Sequence, residues 1–195
     1  MRSPPTGKVT RSIVPVHDFE SRYASELGDV SCNQRCAARK GGTADVLVYD
    51  VNAKKWSEAA LPAPRGGHAA VVLDGKIHVL GGGNSKSTIA DHDVFDPAKN
   101  AWSAAAPLPR AEGSPAAVAF DGKLYAIGGR SGLSDFGAVD IYNPTTNAWS
   151  EGPKIEPRGT AGAVVYCDAV YLFGGESQAQ RKSLGEVLRL KPCGP

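Results

Sequence analysis

HAAVVLDGKIHVLGG, residues 68–82, decides the fold of this chain. It reads as two short apolar, β-rich runs, His68 to Leu73 and Lys76 to Leu80. They are joined by Asp74-Gly75, the favoured two-residue hairpin turn, because both central positions need a positive φ. Gly81-Gly82 stops the second run, where backbone packs closely or adopts conformations closed to other residues. The same fifteen-residue pattern returns as PAAVAFDGKLYAIGG at 115–129 and AGAVVYCDAVYLFGG at 161–175. In the third copy Cys167-Asp168 stands where the others have Asp-Gly.

The repeat extends outward from each Gly pair. After Gly82 comes a polar loop, then Asp93 to Phe95 as a third strand, the turn at Asp96-Pro97, and Trp102 opening a fourth. After Gly129 come Val139 to Tyr142, Asn143-Pro144 and Trp149. After Gly175, Glu186 to Leu190 reads as the third strand and Lys191-Pro192 as the turn, with no Trp beyond it. Trp56, Trp102 and Trp149 lie 46 and 47 residues apart, and the arginines of Pro64-Arg65, Pro109-Arg110 and Pro157-Arg158 recur with them. A fixed period in this range is the mark of a solenoid, a propeller or an array.

Composition narrows the function classes. The 195 residues include 23 Gly and 14 Pro, which suits many short strands joined by tight turns. The formal charge of +2, from 22 basic and 20 acidic residues, is too balanced to steer the chain towards nucleic acid or an anionic membrane. No apolar run approaches the roughly 20 residues of a membrane span. The first 16 residues show no secretory pattern, so the chain has either lost one or is cytoplasmic, the second being the expectation favoured. Cys32 and Cys36 sit close together, but Cys167 and Cys193 are far apart. Structural zinc uses tight pairs on both sides, so no metal is expected, and free and disulfide-bonded thiols both remain open.

These residues resemble the Kelch repeat. That family's pattern places an aromatic 13 residues after the Gly pair and a Trp 7 later, as in Gly82, Phe95, Trp102 and in Gly129, Tyr142, Trp149. The resemblance covers about 43–192 and implies an all-β fold of four-stranded antiparallel propeller blades, one per repeat. The chain holds an incomplete or open ring of about three to four blades. Asp45 to Tyr49 and Trp56 to Ala60 fit strands three and four of an earlier blade. Residues 1–42 depart from the pattern, with a possible edge strand at 11–16, a short helix over 18–28 and a polar loop over 29–44. The division is therefore 1–42 and 43–195. Kelch propellers usually have five to seven blades or so, so the chain is a piece of a longer protein, an open array, or one of two self-associating copies.

Most notable side chains have a packing role in this reading. The Trp residues, Phe95 and Tyr142 are expected between adjacent blades, each aromatic burying about 150–250 Å². His78 aligns with Tyr125 and Tyr171 as a strand residue. Asp91-His92-Asp93 is no metal cluster, because successive strand side chains point to opposite faces.

In Kelch propellers the ligand face is built by the loop after the Gly pair and by the loop leading into strand one. Carried onto this chain, the resemblance implies a ligand face containing Arg65, His68, Asn84, Arg110, Glu112, Arg130, Arg158 and Glu176. Converging arginines suit an acidic peptide, because guanidinium grips carboxylate bidentately. The competing reading has the Pro-Arg arginines tying blades together through backbone carbonyls. The functional expectation is a scaffold that binds a protein or peptide, without cofactor or catalytic residues. The alternative is a sugar-active Kelch enzyme like the sialic-acid mutarotases or galactose oxidase. For a mutarotase Glu112 is the best acid/base candidate, whereas the His/Cys/Tyr constellation of galactose oxidase is absent.

Overall fold

The computed structural model describes residues 30–31, 43–84 and 86–190, and the regular structure in them is all strand. The helix expected over 18–28 and the edge strand at 11–16 lie outside these residues. Among the described residues no helix is long and apolar enough to cross a membrane.

The first blade is Ala69–Leu73, Lys76–Leu80, His92–Asp96 and Ala101–Ala104, hydrogen-bonded in that order. The second is Ala116–Phe120, Lys123–Ile127, Val139–Asn143 and Ala148–Glu151, in the same order. The third has three strands among the described residues: Gly162–Tyr166, Ala169–Phe173 and Val187–Leu190. All pairings are antiparallel, and Ala69 opposite Leu80 is matched by Ala116 opposite Ile127 and Gly162 opposite Phe173. This register fixes which residues are equivalent between blades. In front, Val30–Ser31, Thr43–Asp50 and Lys55–Arg65 form a three-stranded sheet. The loop expected over 29–44 is thus interrupted: Val30 and Ser31 pair with Val48 and Leu47.

The turn chemistry drives this regularity. Asp74 and Gly75 take φ of 51° and 70°, and Asp121 and Gly122 take 50° and 65°. Cys167 adopts the same left-handed turn geometry at φ 53°, despite its side chain. Gly82 shows why the second strand stops at a glycine. Its φ is 93°, and a Cβ there would sit 2.7 Å from the carbonyl oxygen of Gly66.

Three apolar layers hold the blades together. Val46 and Leu61 of the front sheet pack with Ile77, Val79, Phe95 and Trp102. Val71, Leu73 and Leu80 pack with Leu124, Tyr142 and Trp149 of the second blade. Val118, Tyr125 and Ile127 pack with Val170 and Leu172 of the third. The blade-facing aromatics are therefore Phe95 with Trp102 and Tyr142 with Trp149. Trp56 breaks the expectation: it stacks on Tyr49 at 4.8 Å but is 57% exposed, because no described blade precedes the front sheet.

Candidate functional site

The two loop classes meet at one end of the blades. Isolated antiparallel bridges join Gly66 to Gly83, Gly113 to Arg130 and Gly159 to Glu176. Each bridge ties the loop entering strand one to the loop leaving the Gly pair of the same blade. Gly67, Ser114 and Thr160 all lie at left-handed φ, and successive loops are linked where Ser114 N donates to Gly67 O and Thr160 N to Ser114 O at 3.1 Å. Left-handed backbone at non-glycine residues stores strain that the surrounding hydrogen bonds must hold in place.

The structural register corrects the phase of the arginines. Gly82 N donates to Glu112 O at 2.8 Å, and one blade later Gly129 N donates to Arg158 O at 2.9 Å. With the loop bridges, this makes Arg65, Glu112 and Arg158 the equivalent residues. Arg110 lies two positions earlier, so Pro-Arg is not strictly in step. All three equivalent residues are fully buried. Arg65 pairs with Asp93 and lies 3.7 Å from Asp91. Arg158 donates to Gly174 O, Glu156 O and, at 3.0 Å, Glu186. Both bind the third-strand end of their own blade, so the tie runs within the blade and uses carboxylates as well as carbonyls.

In the second blade the charge is reversed. Glu112 fills the arginine position, and Arg110 reaches in to pair with Asp140, 3.6 Å from Glu112. Both Glu112 carboxyl oxygens are buried without a hydrogen-bond partner. Burial pushes its carboxyl up to about 7, with Asp140 adding to the rise and Arg110 opposing it. Arg110 lies over the Phe136 ring at 5.7 Å. It borders a cavity of about 330 Å³, which Phe136, Val139, Asp140, Lys154 and Ile155 also line.

The other expected residues fall around these. Arg130 lies 3.4 Å from both Asp135 and Glu176, linking the short hairpins Arg130–Ser131/Ser134–Asp135 and Glu176–Ser177/Lys182–Ser183. Asn84 folds its own loop, its side-chain oxygen accepting from the amides of Lys86 and Ser87. His68 is buried with neither ring nitrogen bonded, and burial next to Arg65 holds it down at about 4. Sequence reasoning missed the carboxylates that hold the arginines. Asp93, Asp140 and Glu186 recur 47 and 46 residues apart, a signal that was legible; Asp135 has no such marker.

The fold and this loop end define a Kelch-type propeller portion, and the comparisons agree. The KLHDC2/KLHL20/DRC7 Kelch-repeats domain model matches residues 35–192, so the chain belongs to the Kelch-repeat family. It is 39% identical over 64 residues to human Kelch-like protein 6, which is 32% of this chain and 10% of that protein. It is 35% identical over 66 residues to acyl-CoA-binding domain-containing protein 4 of Arabidopsis thaliana, again 32% and 10%. An F-box/kelch-repeat protein of the same plant is 37% identical over 65 residues, 33% of this chain and 17% of that one. The chain thus spans a tenth to a sixth of these relatives. The solved structure of YjhT superposes with a TM-score of 0.62 at 15% identity, over 77% of this chain and 50% of YjhT. That likeness is one of fold.

Proposed function

We propose that this Kelch domain is a binding scaffold that takes a protein segment, in peptide form, across the loop end of its blades. The observation that carries this reading is the set of three loop bridges, at Gly83, Arg130 and Glu176, which hold the two loop classes together at the same end of each blade. Loops on a rigid scaffold are the usual seat of recognition. Arg65 and Arg158 are buried at that end on their own carboxylates, and organise it. Arg110 and Arg130, with side chains 26% and 18% exposed, are the guanidinium groups a ligand reaches. An acidic peptide would exchange places with Asp140 or Glu176 at these arginines, one carboxylate for another.

Glu112 supports the enzymatic alternative in one respect, since a carboxyl near 7 suits general acid/base work. Its oxygens are sealed from solvent, which favours a binding role over attack on a sugar. The test is selection from a random peptide display library on the whole chain. Binders should saturate and lose about tenfold or more in affinity on Arg130→Ala or Arg110→Ala, the scale of one buried charged contact. Binders indifferent to both substitutions, or turnover of an anomeric sugar without peptide affinity, would overturn it.

A further inference from the structure

The front sheet and the third blade carry faces equivalent to the two halves of one joint. Between the first and second blades the joint is complete. The first strand, Ala69–Leu73, alternates buried and half-buried, with Ala69, Val71 and Leu73 turned towards the next blade and packed with Tyr142 and Trp149. Gly162–Tyr166 is the equivalent strand of the third blade. Its alternation is the same, but every position that is buried in the first blade is exposed. Val164 is 46% exposed, Tyr166 68% and Phe173, the equivalent of Leu80, 46%. Val187 on the neighbouring strand is 58% exposed.

The matching half sits at the other end. Tyr49 and Trp56 pair across the front sheet as Tyr142 and Trp149 pair across the second blade, with ring centroids 4.8 and 5.2 Å apart. In the second blade that aromatic pair faces His78 and His92, on the preceding blade's second and third strands, and shares an apolar layer with its first strand. In the front sheet nothing described covers it. Glu58 lies two residues along from Trp56 on the same side, and Arg189, two along from Val187, lies over Tyr171 and pairs with Asp168 at 3.1 Å.

We propose that the uncovered face of the third blade, Val164, Tyr166, Phe173 and Val187, docks the Tyr49–Trp56 face of a second copy of this chain. The contact repeats, between chains, the joint that already holds the first and second blades. It is heterologous, head to tail, so two copies close a ring only if the rotation allows and otherwise extend. Either outcome covers apolar faces that the described sheets expose. The inference is independent of the loop end and its ligand.

The experiment is light scattering after size exclusion on the whole chain, of 20.3 kDa, with iodide quenching of tryptophan. Expected is a mass of two copies or more that dissociates on dilution, and Trp56 quenching that rises as it does. Trp56 is read by difference against Trp56→Phe. Trp56→Glu and Tyr166→Glu each change an exposed residue, so both variants stay folded, and each should weaken association about tenfold or more. Mixing the two variants should restore a complex, because one of its joints then has both native halves. A monomer at every concentration overturns the proposal. So does an oligomer indifferent to both variants. A monomer with Trp56 shielded at all dilutions assigns the face to other residues of the same chain, and also overturns it.

Discussion

Trp149 Nε1 donates to the carbonyl oxygen of Ala106 at 2.8 Å, carrying a bond from the outer strand of the second blade to the linker that leaves the first. The same carbonyl is 3.1 Å from His92 Nδ1, which can only donate to it. His92 Nε2 is then the acceptor for His78 Nδ1 at 2.8 Å, so both imidazoles carry their proton on Nδ1. The Ala106 amide donates to Asn147 Oδ1, which also receives the Tyr142 hydroxyl. One residue, Ala106, thus ties two histidines of the first blade to three side chains of the second through the peptide groups on either side of it.

Trp149→Phe should therefore cost more than its lost area. The Ala106 carbonyl loses one of two donors, a loss of about 1 kcal/mol, and the smaller ring leaves a gap in the layer. Urea unfolding of the two proteins side by side checks this. An unchanged midpoint would remove the tie from the account of blade cohesion.

Acid should weaken the fold through three histidines. His68, His78 and His92 are each held down to about 4 by burial, against 6.5 when unfolded. Between these values the unfolded chain binds more protons, so stability is fully present above 6.5 and falls as pH drops towards 4. The slope is about 1.4 kcal/mol per pH unit for each independent group. His78 and His92 share a hydrogen bond and titrate as a pair. His78→Phe with His92→Phe should flatten the pH dependence of the melting temperature between 4 and 6.5.

Glu112 acts in the opposite sense. Its folded pKa of about 7 lies above 4.5, so its contribution is present below 4.5 and is lost as pH rises through 7. Glu112→Gln should accordingly raise stability relative to the native chain at pH 8, by about 3 kcal/mol, and leave it near level at pH 4.5. A variant equally displaced at both values would mean that the carboxyl is not strained by charge.

Breaking the Arg65–Asp93 pair separates structural from accessible arginines. Arg65→Ala leaves a buried carboxylate uncompensated and should cost about 3–5 kcal/mol. Arg130→Ala removes a partly exposed contact near Glu176 and should cost about 1 kcal/mol or less. Thermal melts in parallel decide it, and equal losses would contradict the assignment of Arg65 as an internal tie.

Gly82→Ala tests the backbone. With φ 93° and the Gly66 carbonyl 2.7 Å from the new Cβ, the change should cost at least about 1–3 kcal/mol. Gly75→Ala, in an open turn at φ 70° with nothing near its Cβ, should cost about 1 kcal/mol. Similar losses at the two sites would show that close packing does not set the Gly-pair position.

The sequence by itself determined the strands, their order and their pairing. Asp-Gly turns, the Gly pairs and the Tyr/Phe–Trp spacing act over neighbouring residues, and a period of 46 to 47 makes each local signal confirm the next. The resemblance of that repeat to the Kelch pattern also named the loops that meet at one end. Only the tertiary structure decided what the charged residues there do. Arg65 finds Asp93 across 28 residues and Arg110 finds Asp140 across 30, and no local rule selects these partners. The structure alone placed Glu112, not Arg110, in the position of Arg65 and Arg158, since a shift of two residues in a linker is invisible until backbone hydrogen bonds set the register. Burial was likewise a matter of neighbours: Trp149 is packed and Trp56 exposed, with the same spacing around each, because a blade stands before one and none is described before the other.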